Sequence, residues 1–425
     1  MIMLVLFLGF LLLGLPLAFC LLIAGMSYFI SADSLPLTVA VQRLVASSQS
    51  FPLLAVPFFI LAGHIMNHSG ITQRLIKFSN LLVAWIAGGL AHVTIILSAL
   101  MGGVSGSAIA DAAMQARVLG TPMQDSGLGK GFSAAIITVS ALITACIPPS
   151  IGLILYGFVG NVSIGKLFIA GIVPGILLTL TLMLTVFFQV KKHYPAQAEG
   201  ETRPQLGSVF TAMNECKWAL LFPVILIVTI RFGIFTPSEA GAFAVVYAIV
   251  IGFWCYRELS VPRLLESLKQ SVDDIGMIML IILSAGVVGY VVAYQQLPVT
   301  LAQAVADLTQ QPILVMLLCL LFLLVVGMLM EGTVIVLLLT PILVPVVQSV
   351  GIDPVHFGVL MMIMVTFGGT TPPVGIAMYS VCNIMRCPTD EYVKAAWPFF
   401  VAVLGLITLM AVFPSIVLFL PELVY

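Results

Sequence analysis

Two pairs of adjacent prolines, Pro148-Pro149 and Pro372-Pro373, interrupt apolar stretches of this 425-residue chain. Each pair removes two N–H donors and pushes the residues before it out of helical geometry, so helices over 131–160 and 355–380 should break there. Ser150 follows the first pair, and Gly368, Gly369, Thr370 and Thr371 precede the second. A broken helix survives at membrane depth only where protein or a water-filled cavity covers its freed backbone. The oxygens it presents, carbonyl and hydroxyl, suit a hard monovalent cation such as Na+, and half-helix ends favour ions through their partial charges. One proline in a membrane helix is commonly only a kink. Two Pro-Pro breaks beside Gly and Thr, at matching places in the chain, point to a binding site.

The second feature is Gly102-Gly103-Val104-Ser105-Gly106-Ser107-Ala108-Ile109-Ala110-Asp111. Small residues let a hairpin pack tightly and bring its backbone close to an ion or a carboxylate. Ser105, Gly106, Ser107 and Asp111 are therefore read as an ion-binding tip, with Glu331-Gly332-Thr333 as its counterpart. A carboxylate at mid-membrane costs about 2.5–3.5 kcal/mol on insertion scales, so Asp111 and Glu331 need a reason to be there. The alternatives are close helix packing for the small residues, and an interfacial or helix-capping place for each acid. His64, His68 and His92 are read as interfacial or packing residues. Glu239, behind Thr236-Pro237-Ser238, marks a helix N-terminus. No Walker A, H-E-x-x-H or GxSxG motif stands in a plausible context, so the chain is read as neither an ATP-driven pump nor an enzyme.

These residues sit in a chain that is 61% hydrophobic and 8% charged, against roughly a quarter charged in soluble domains. Mean hydropathy is +1.21, and a net charge of −1 argues against nucleic acid as a partner. The expected fold class is an all-α polytopic membrane protein. With about 20 apolar residues needed per crossing, candidate spans lie at 2–30, 52–67, 82–101, 131–160, 167–189, 217–235, 239–256, 275–294, 312–330, 355–380 and 394–421. The run from Ile2 to Ile30 reads as a first span rather than a signal peptide. Stretches 102–129 and 331–350 are expected as re-entrant hairpins. Segments 71–80 and 298–310 are amphipathic and should lie along an interface or brace the fold. Seven cysteines without metal spacing read as small buried apolar residues.

The polar linker 190–217, with Lys191, Lys192, Arg203 and Lys217, and the segment 257–269, with Arg257, Arg263 and Lys269, read as cytoplasmic. Arg74 and Lys77 fall on the opposite side under this scheme. The halves resemble each other: Pro148 to Tyr156 matches Pro372 to Tyr379, and the paired prolines stand 224 residues apart. The expected organisation is two inverted repeats, within 1–189 and 218–425, joined by the linker. Internal repeats with Gly/Pro-interrupted helices in matching positions point to a secondary transporter. A passive pore and an intramembrane enzyme are the competing readings.

Six motifs resemble the large membrane subunit of tripartite ATP-independent periplasmic (TRAP) transporters, DctM-like, across nearly the whole chain: 50–75 (SFPLLAVPFFILAGHIMNHSGITQRL), 103–113 (GVSGSAIADAA), 147–157 (IPPSIGLILYG), 163–175 (SIGKLFIAGIVPG), 233–242 (GIFTPSEAGA) and 371–375 (TPPVG). The resemblance implies Na+-driven uptake of organic acids such as C4-dicarboxylates, sialic acid or other sugar acids across the bacterial inner membrane. It implies an elevator-type scaffold and transport domain, a periplasmic substrate-binding protein, and a small four-helix membrane subunit, here a separate chain. Carried onto this sequence, one Na+ site lies near Ser105, Gly106 and Ser107 with Pro148–Ser150. The other lies near Glu331 to Thr333 with Gly368–Pro373, and substrate binds between the tips. The chain departs from the family pattern in lacking a proline soon after Glu331, and in carrying Arg117 within Met114–Gln124, a run that is often apolar.

Overall fold

The computed structural model describes residues 2–32, 35–195 and 204–425, and these contain helices and no strand. Arg203 and the middle of the expected linker lie outside the described residues. The chain opens with α1 (Ile2–Leu12) and α2 (Leu17–Ser31), where one span over 2–30 was expected. Gly14 is the reason. At φ +80° it closes a Schellman motif, in which Gly14 N–H bonds Leu11 O and Leu15 N–H bonds Phe10 O. Pro16 cannot continue the helix, and the two pieces of 11 and 15 residues pack against each other. Neither is as long as a simple crossing requires.

There follow α3 (Leu37–Ser48), α4 (Ala55–His68) and the amphipathic α5 (Ile71–Val83). The first hairpin is α6 (Gly89–Ser105) and α7 (Ala108–Asp125), and the broken helix is α8 (Lys130–Cys146) and α9 (Ile151–Val159), bent by 46°. Then come α10 (Ile164–His193), α11 (Leu206–Arg231), α12 (Pro237–Val250), α13 (Val261–Tyr294) and α14 (Leu297–Leu308). The second hairpin is α15 (Pro312–Gly327) with α16 (Gly332–Ser349), and the second break separates α17 (Pro354–Gly368) from α18 (Ile376–Met385). The chain closes with α19 (Thr389–Val412) and α20 (Pro414–Val424).

Two expected boundaries move. Helix α6 runs unbroken through position 102, so the apolar stretch 82–101 supplies most of a hairpin arm; α15 does the same for 312–330. Composition could not separate the two cases, because an arm buried in protein is as apolar as a span in lipid. Among the described residues seven helices are long and apolar enough to cross a membrane, or up to eight with the bent pair counted as one, and α16 passes that test while forming a hairpin arm.

The repeat is denser than the prolines alone indicate. Ser107 and Glu331, the N-caps of α7 and α16, stand 224 residues apart, as do Gly127 and Gly351. Both glycines close Schellman motifs at the hairpin bases: Leu128 N–H bonds Met123 O, and Ile352 N–H bonds Val347 O. The halves differ where proline differs. Pro52 and Pro57 interrupt the stretch from α3 to α4, whereas the equivalent stretch of α13 carries Gly276 and Ile281 and is one continuous helix.

Ion pairs revise the expected sidedness. Arg74 Nη1 lies 2.6 Å from Glu258 Oε1 and over the Tyr256 ring, and Lys77 Nζ lies 2.7 Å from Glu215 Oε2. Both cations therefore share the end of the molecule that carries 257–269 and the linker, instead of facing away from it. Cysteine introduced at Lys77 should be labelled by a membrane-impermeant maleimide from the same side as cysteine at Lys217. Labelling from opposite sides would refute this placement. Six of the seven cysteines are buried as expected; Cys255 is exposed. Glu239 completes a capping box with Thr236, the structural role its sequence context indicated.

Candidate ion and substrate site at the hairpin tips

At each break a helix pair ends and another begins. The C-terminal ends of α6 and α8 meet beside the N-terminal ends of α7 and α9, with the same arrangement for α15, α17, α16 and α18. Helix ends leave carbonyls or N–H groups without intrahelical partners, so each cluster offers carbonyl oxygens to a cation and N–H groups to an anion.

The first tip seats directly on its break. Ile151 N–H reaches Gly106 O at 3.5 Å. Gly106 adopts φ +65°, and a Cβ there would stand 2.2 Å from Pro149 O. Glycine is required twice over, for the left-handed backbone and for the close approach. The Pro148-Pro149 peptide is cis. Ser107 caps α7, accepting Ala110 N–H at 3.5 Å, and Ser150 caps α9, accepting Leu153 N–H at 3.4 Å.

Behind the tip lies a buried polar network, in which only Gln115 Oε1 lacks a partner among the described residues. Asp111 is buried, and its two carboxylate oxygens accept the Ser105 hydroxyl at 2.7 Å and the Thr144 hydroxyl at 3.1 Å. Gln115 Nε2 donates to Ser98 Oγ at 2.9 Å, which in turn bonds Ser140 Oγ at 2.9 Å. Hydroxyl donors thus satisfy a carboxylate that would otherwise be costly among apolar neighbours. Sequence reasoning missed Thr144 and Gln115. Both lay within view of the motif, since Thr144 is one turn before Pro148 and Gln115 one turn after Asp111.

The second tip is built on the same plan with different groups. Gly375 N–H bonds Met328 O at 3.0 Å, and residue 375 matches Ile151 at the repeat spacing. Gly327 and Gly368 let α15 and α17 touch, since a Cβ on Gly368 would lie 2.6 Å from the Gly327 backbone. Thr370 and Thr371 turn their hydroxyls to Phe367 O and Gly368 O, and the buried Tyr392 hydroxyl holds Thr370 O at 2.8 Å. Ala377 N–H bonds Gly369 O at 2.9 Å. Glu331 caps α16: Oε2 accepts Val334 N–H at 3.2 Å and Oε1 accepts the Thr333 hydroxyl at 2.8 Å, beside Gly332. By position and role Glu331 corresponds to Ser107. The counterpart of Asp111 is the buried Ile335, so the second tip has no equivalent of the buried carboxylate.

The tips also differ in access. Pro148, Pro149 and Ser150 are buried, whereas Pro372 is half-buried and Pro373 and Val374 are exposed. Helices α4 and α11 cover the first tip: a Cβ on Gly63 would contact Ser105, and one on Gly103 would stand 2.4 Å from Pro223. The tyrosines beyond the two breaks are not equivalent, because at the repeat spacing Tyr156 falls on Ser380 and Tyr379 on Leu155. Tyr156 is buried and bonds Pro354 O at 2.6 Å, while Tyr379 is 43% exposed. The broken helices pack on each other, with Gly152 against Met362 and Gly358 against Tyr156. The two cavities described, of about 370 and 460 Å³, lie away from both tips. No group of three or more His, Cys, Asp or Glu side chains capable of holding a metal occurs among the described residues.

A helical membrane protein with two hairpins seated on two broken helices belongs, as a class, with membrane transport proteins. The family model for the tripartite ATP-independent periplasmic transporter, DctM component, matches residues 4–416, and the chain belongs to that family. It is 38% identical to the sialic acid TRAP transporter large permease protein SiaM of Vibrio cholerae, over 98% of this chain and 97% of that protein. It is 35% identical to the 2,3-diketo-L-gulonate TRAP transporter large permease protein YiaN of Escherichia coli, over 98% and 96%. The fold is similar to the YdaH transporter of Alcanivorax borkumensis, at 14% identity and a TM-score of 0.64 over 97% of this chain and 98% of that one. The chain is thus a TRAP large permease subunit, a multi-pass inner-membrane protein and not an enzyme. Its family works with a small permease subunit and a periplasmic binding protein.

Proposed function

We propose that this subunit carries out Na+-coupled secondary active transport of a small organic acid, received from a periplasmic binding protein. The observation that carries this reading is the matched docking of each hairpin tip onto its broken helix, Gly106 with Ile151 and Met328 with Gly375. Na+ binds among the oxygens near Ser105, Ser107 and Ser150, and again near Thr333, Thr370 and Thr371. The carboxylate of the substrate meets N–H groups and hydroxyls between the tips. Sialic acid and 2,3-diketo-L-gulonate, named for two relatives, make a sugar acid the first substrate class to test, with C4-dicarboxylates next. Hairpins and broken helices form a transport domain that slides as an elevator against a scaffold.

Proteoliposomes containing this chain and its small subunit should accumulate substrate only with the binding protein present and an inward Na+ gradient imposed. Equal uptake without either sinks the coupled-carrier reading in favour of a passive pore. Ser107→Ala and Thr371→Ala should each raise the Na+ concentration for half-maximal uptake by about tenfold, the equivalent of one ligand worth ~1.4 kcal/mol. Unchanged Na+ activation in both variants would remove these residues from the sites.

A further inference from the structure

We infer that Arg117, Lys130 and Arg386 form a binding site for a phosphate-class oxyanion at the base of the first hairpin, separate from the tips. The three cations come from α7, the start of α8 and the end of α18, and they converge on an open cavity of about 460 Å³. Thr121 and Gln124 add neutral hydrogen-bonding groups to its wall, and no carboxylate lines it. Asp125, which follows Gln124 at the end of α7, and Asp390 and Glu391, in the first turn of α19, are the nearby acids, and Asp390 pairs with Lys394 at 3.9 Å. Among the described residues none of the three lining cations forms an ion pair or a side-chain hydrogen bond, whereas Arg74, Lys77 and Lys394 all pair. Unpaired guanidinium and ammonium groups converging on one cavity are the usual apparatus for oxyanions, with arginine supplying a planar fork of donors.

Two further observations separate this corner from ordinary surface charge. Arg386 holds its backbone at φ +49°, ψ +45°, a left-handed conformation that glycine or asparagine adopts more readily. The corresponding turn after α9 uses Asn161, at φ +52°. The repeat supplies an internal comparison as well. At the base of the second hairpin the positions matching Arg117 and Lys130 are Pro341 and Pro354. Equivalent backbone is therefore built without any of the three charges, so the fold does not demand them.

Location narrows the source of the anion. Phe132, in the first turn of α8, packs on Tyr194 with ring centroids 5.2 Å apart, and Tyr194 directly follows Lys191, Lys192 and His193. The site thus lies at the end of the molecule that carries the basic linker, which is the cytoplasmic end. Two sources of phosphate meet a protein there, the headgroups of acidic lipids and soluble phosphate-bearing anions, and basic pockets at this level are known to hold headgroups.

The test uses the full-length protein with its small subunit, titrated with inorganic phosphate in detergent and, separately, placed in phosphatidylcholine nanodiscs with and without phosphatidylglycerol. Chloride matches the ionic strength throughout. In the wild type at least one probe should raise the melting temperature, and the triple variant R117Q/K130Q/R386Q should lose that response. Arg386→Gly should weaken the apparent affinity about tenfold, as expected for loss of one charge-assisted contact, while its probe-free melting temperature stays the same or rises. A response to phosphate alone assigns a soluble anion; a response to phosphatidylglycerol, with or without phosphate, assigns a lipid headgroup. If neither probe shifts the wild type, or if Arg386→Gly and the triple variant respond as it does, the proposal is overturned. Should the triple variant not fold, the wild-type and Arg386→Gly arms still decide it.

Discussion

Gly106→Ala should abolish uptake in proteoliposomes while the protein still inserts and purifies. The added Cβ would sit 2.2 Å from the carbonyl oxygen of Pro149, a backbone atom that no side-chain rotation can move aside. The φ of +65° adds about 1–3 kcal/mol of strain for a residue other than glycine. The tip must therefore lift from its break or the break must shift, and either displaces the oxygens assigned to the ion. A loss of at least about tenfold in uptake follows from only ~1.4 kcal/mol of misplacement. Gly9→Ala serves as the control, because nothing lies within 4 Å of a Cβ there. Wild-type uptake by Gly106→Ala, with Na+ activation unchanged, would show that the docked tip is not part of the site.

Asp111→Ala carries the second large effect, and it separates two roles that a buried acid can have. Both carboxylate oxygens are already engaged, by Ser105 and Thr144. In that geometry Asp111 anchors Ser105 from behind and leaves the backbone of the tip to face the proposed ion. Deleting it strips the buried Ser105 hydroxyl of its acceptor, at about 1–3 kcal/mol, while the Thr144 hydroxyl falls back on Ser98 O at 3.1 Å. The melting temperature should fall, and half-maximal activation should need about tenfold more Na+. Asp111→Asn keeps the shape and one acceptor oxygen, so it should fall between wild type and alanine on both measures. If Asp111→Asn lost all Na+ dependence while melting as wild type, the carboxylate would have to be a direct ligand. If Asp111→Ala left both measures untouched, the network would be idle.

Several features of the fold were legible because their causes are local. Proline lacks an N–H wherever it falls, so Pro148-Pro149 and Pro372-Pro373 announced both breaks. Thr236, Pro237 and Glu239 announced a helix start for the same kind of reason. The constant spacing of 224 residues was visible at the prolines and recurs at Ser107/Glu331 and Gly127/Gly351, since capping uses residues within one turn of each other. Local signals also misled. The run from Ile2 to Ile30 has the composition of a span, and its one turn-forming glycine was outweighed by its hydropathy. The arms α6 and α15 looked like spans because burial in protein and burial in lipid select the same side chains.

Other features depend on partners far apart in the chain. Asp111 and Glu331 looked equivalent as lone acids at two hairpins; only packing makes one a buried hub for Ser105 and Thr144 and the other a helix cap. The side on which Arg74 and Lys77 lie follows from Glu258 and Glu215, 184 and 138 residues away. Likewise, whether a break is closed like the first or open like the second is set by α4 and α11, which cover one tip and not the other. The sequence by itself determined the membrane, the helices, the two breaks and the repeat, because proline, glycine and hydrophobicity act within a turn or two. The tertiary structure alone decided which oxygens converge, which acid is buried and which tip is open, because those depend on contacts between helices that no local pattern encodes.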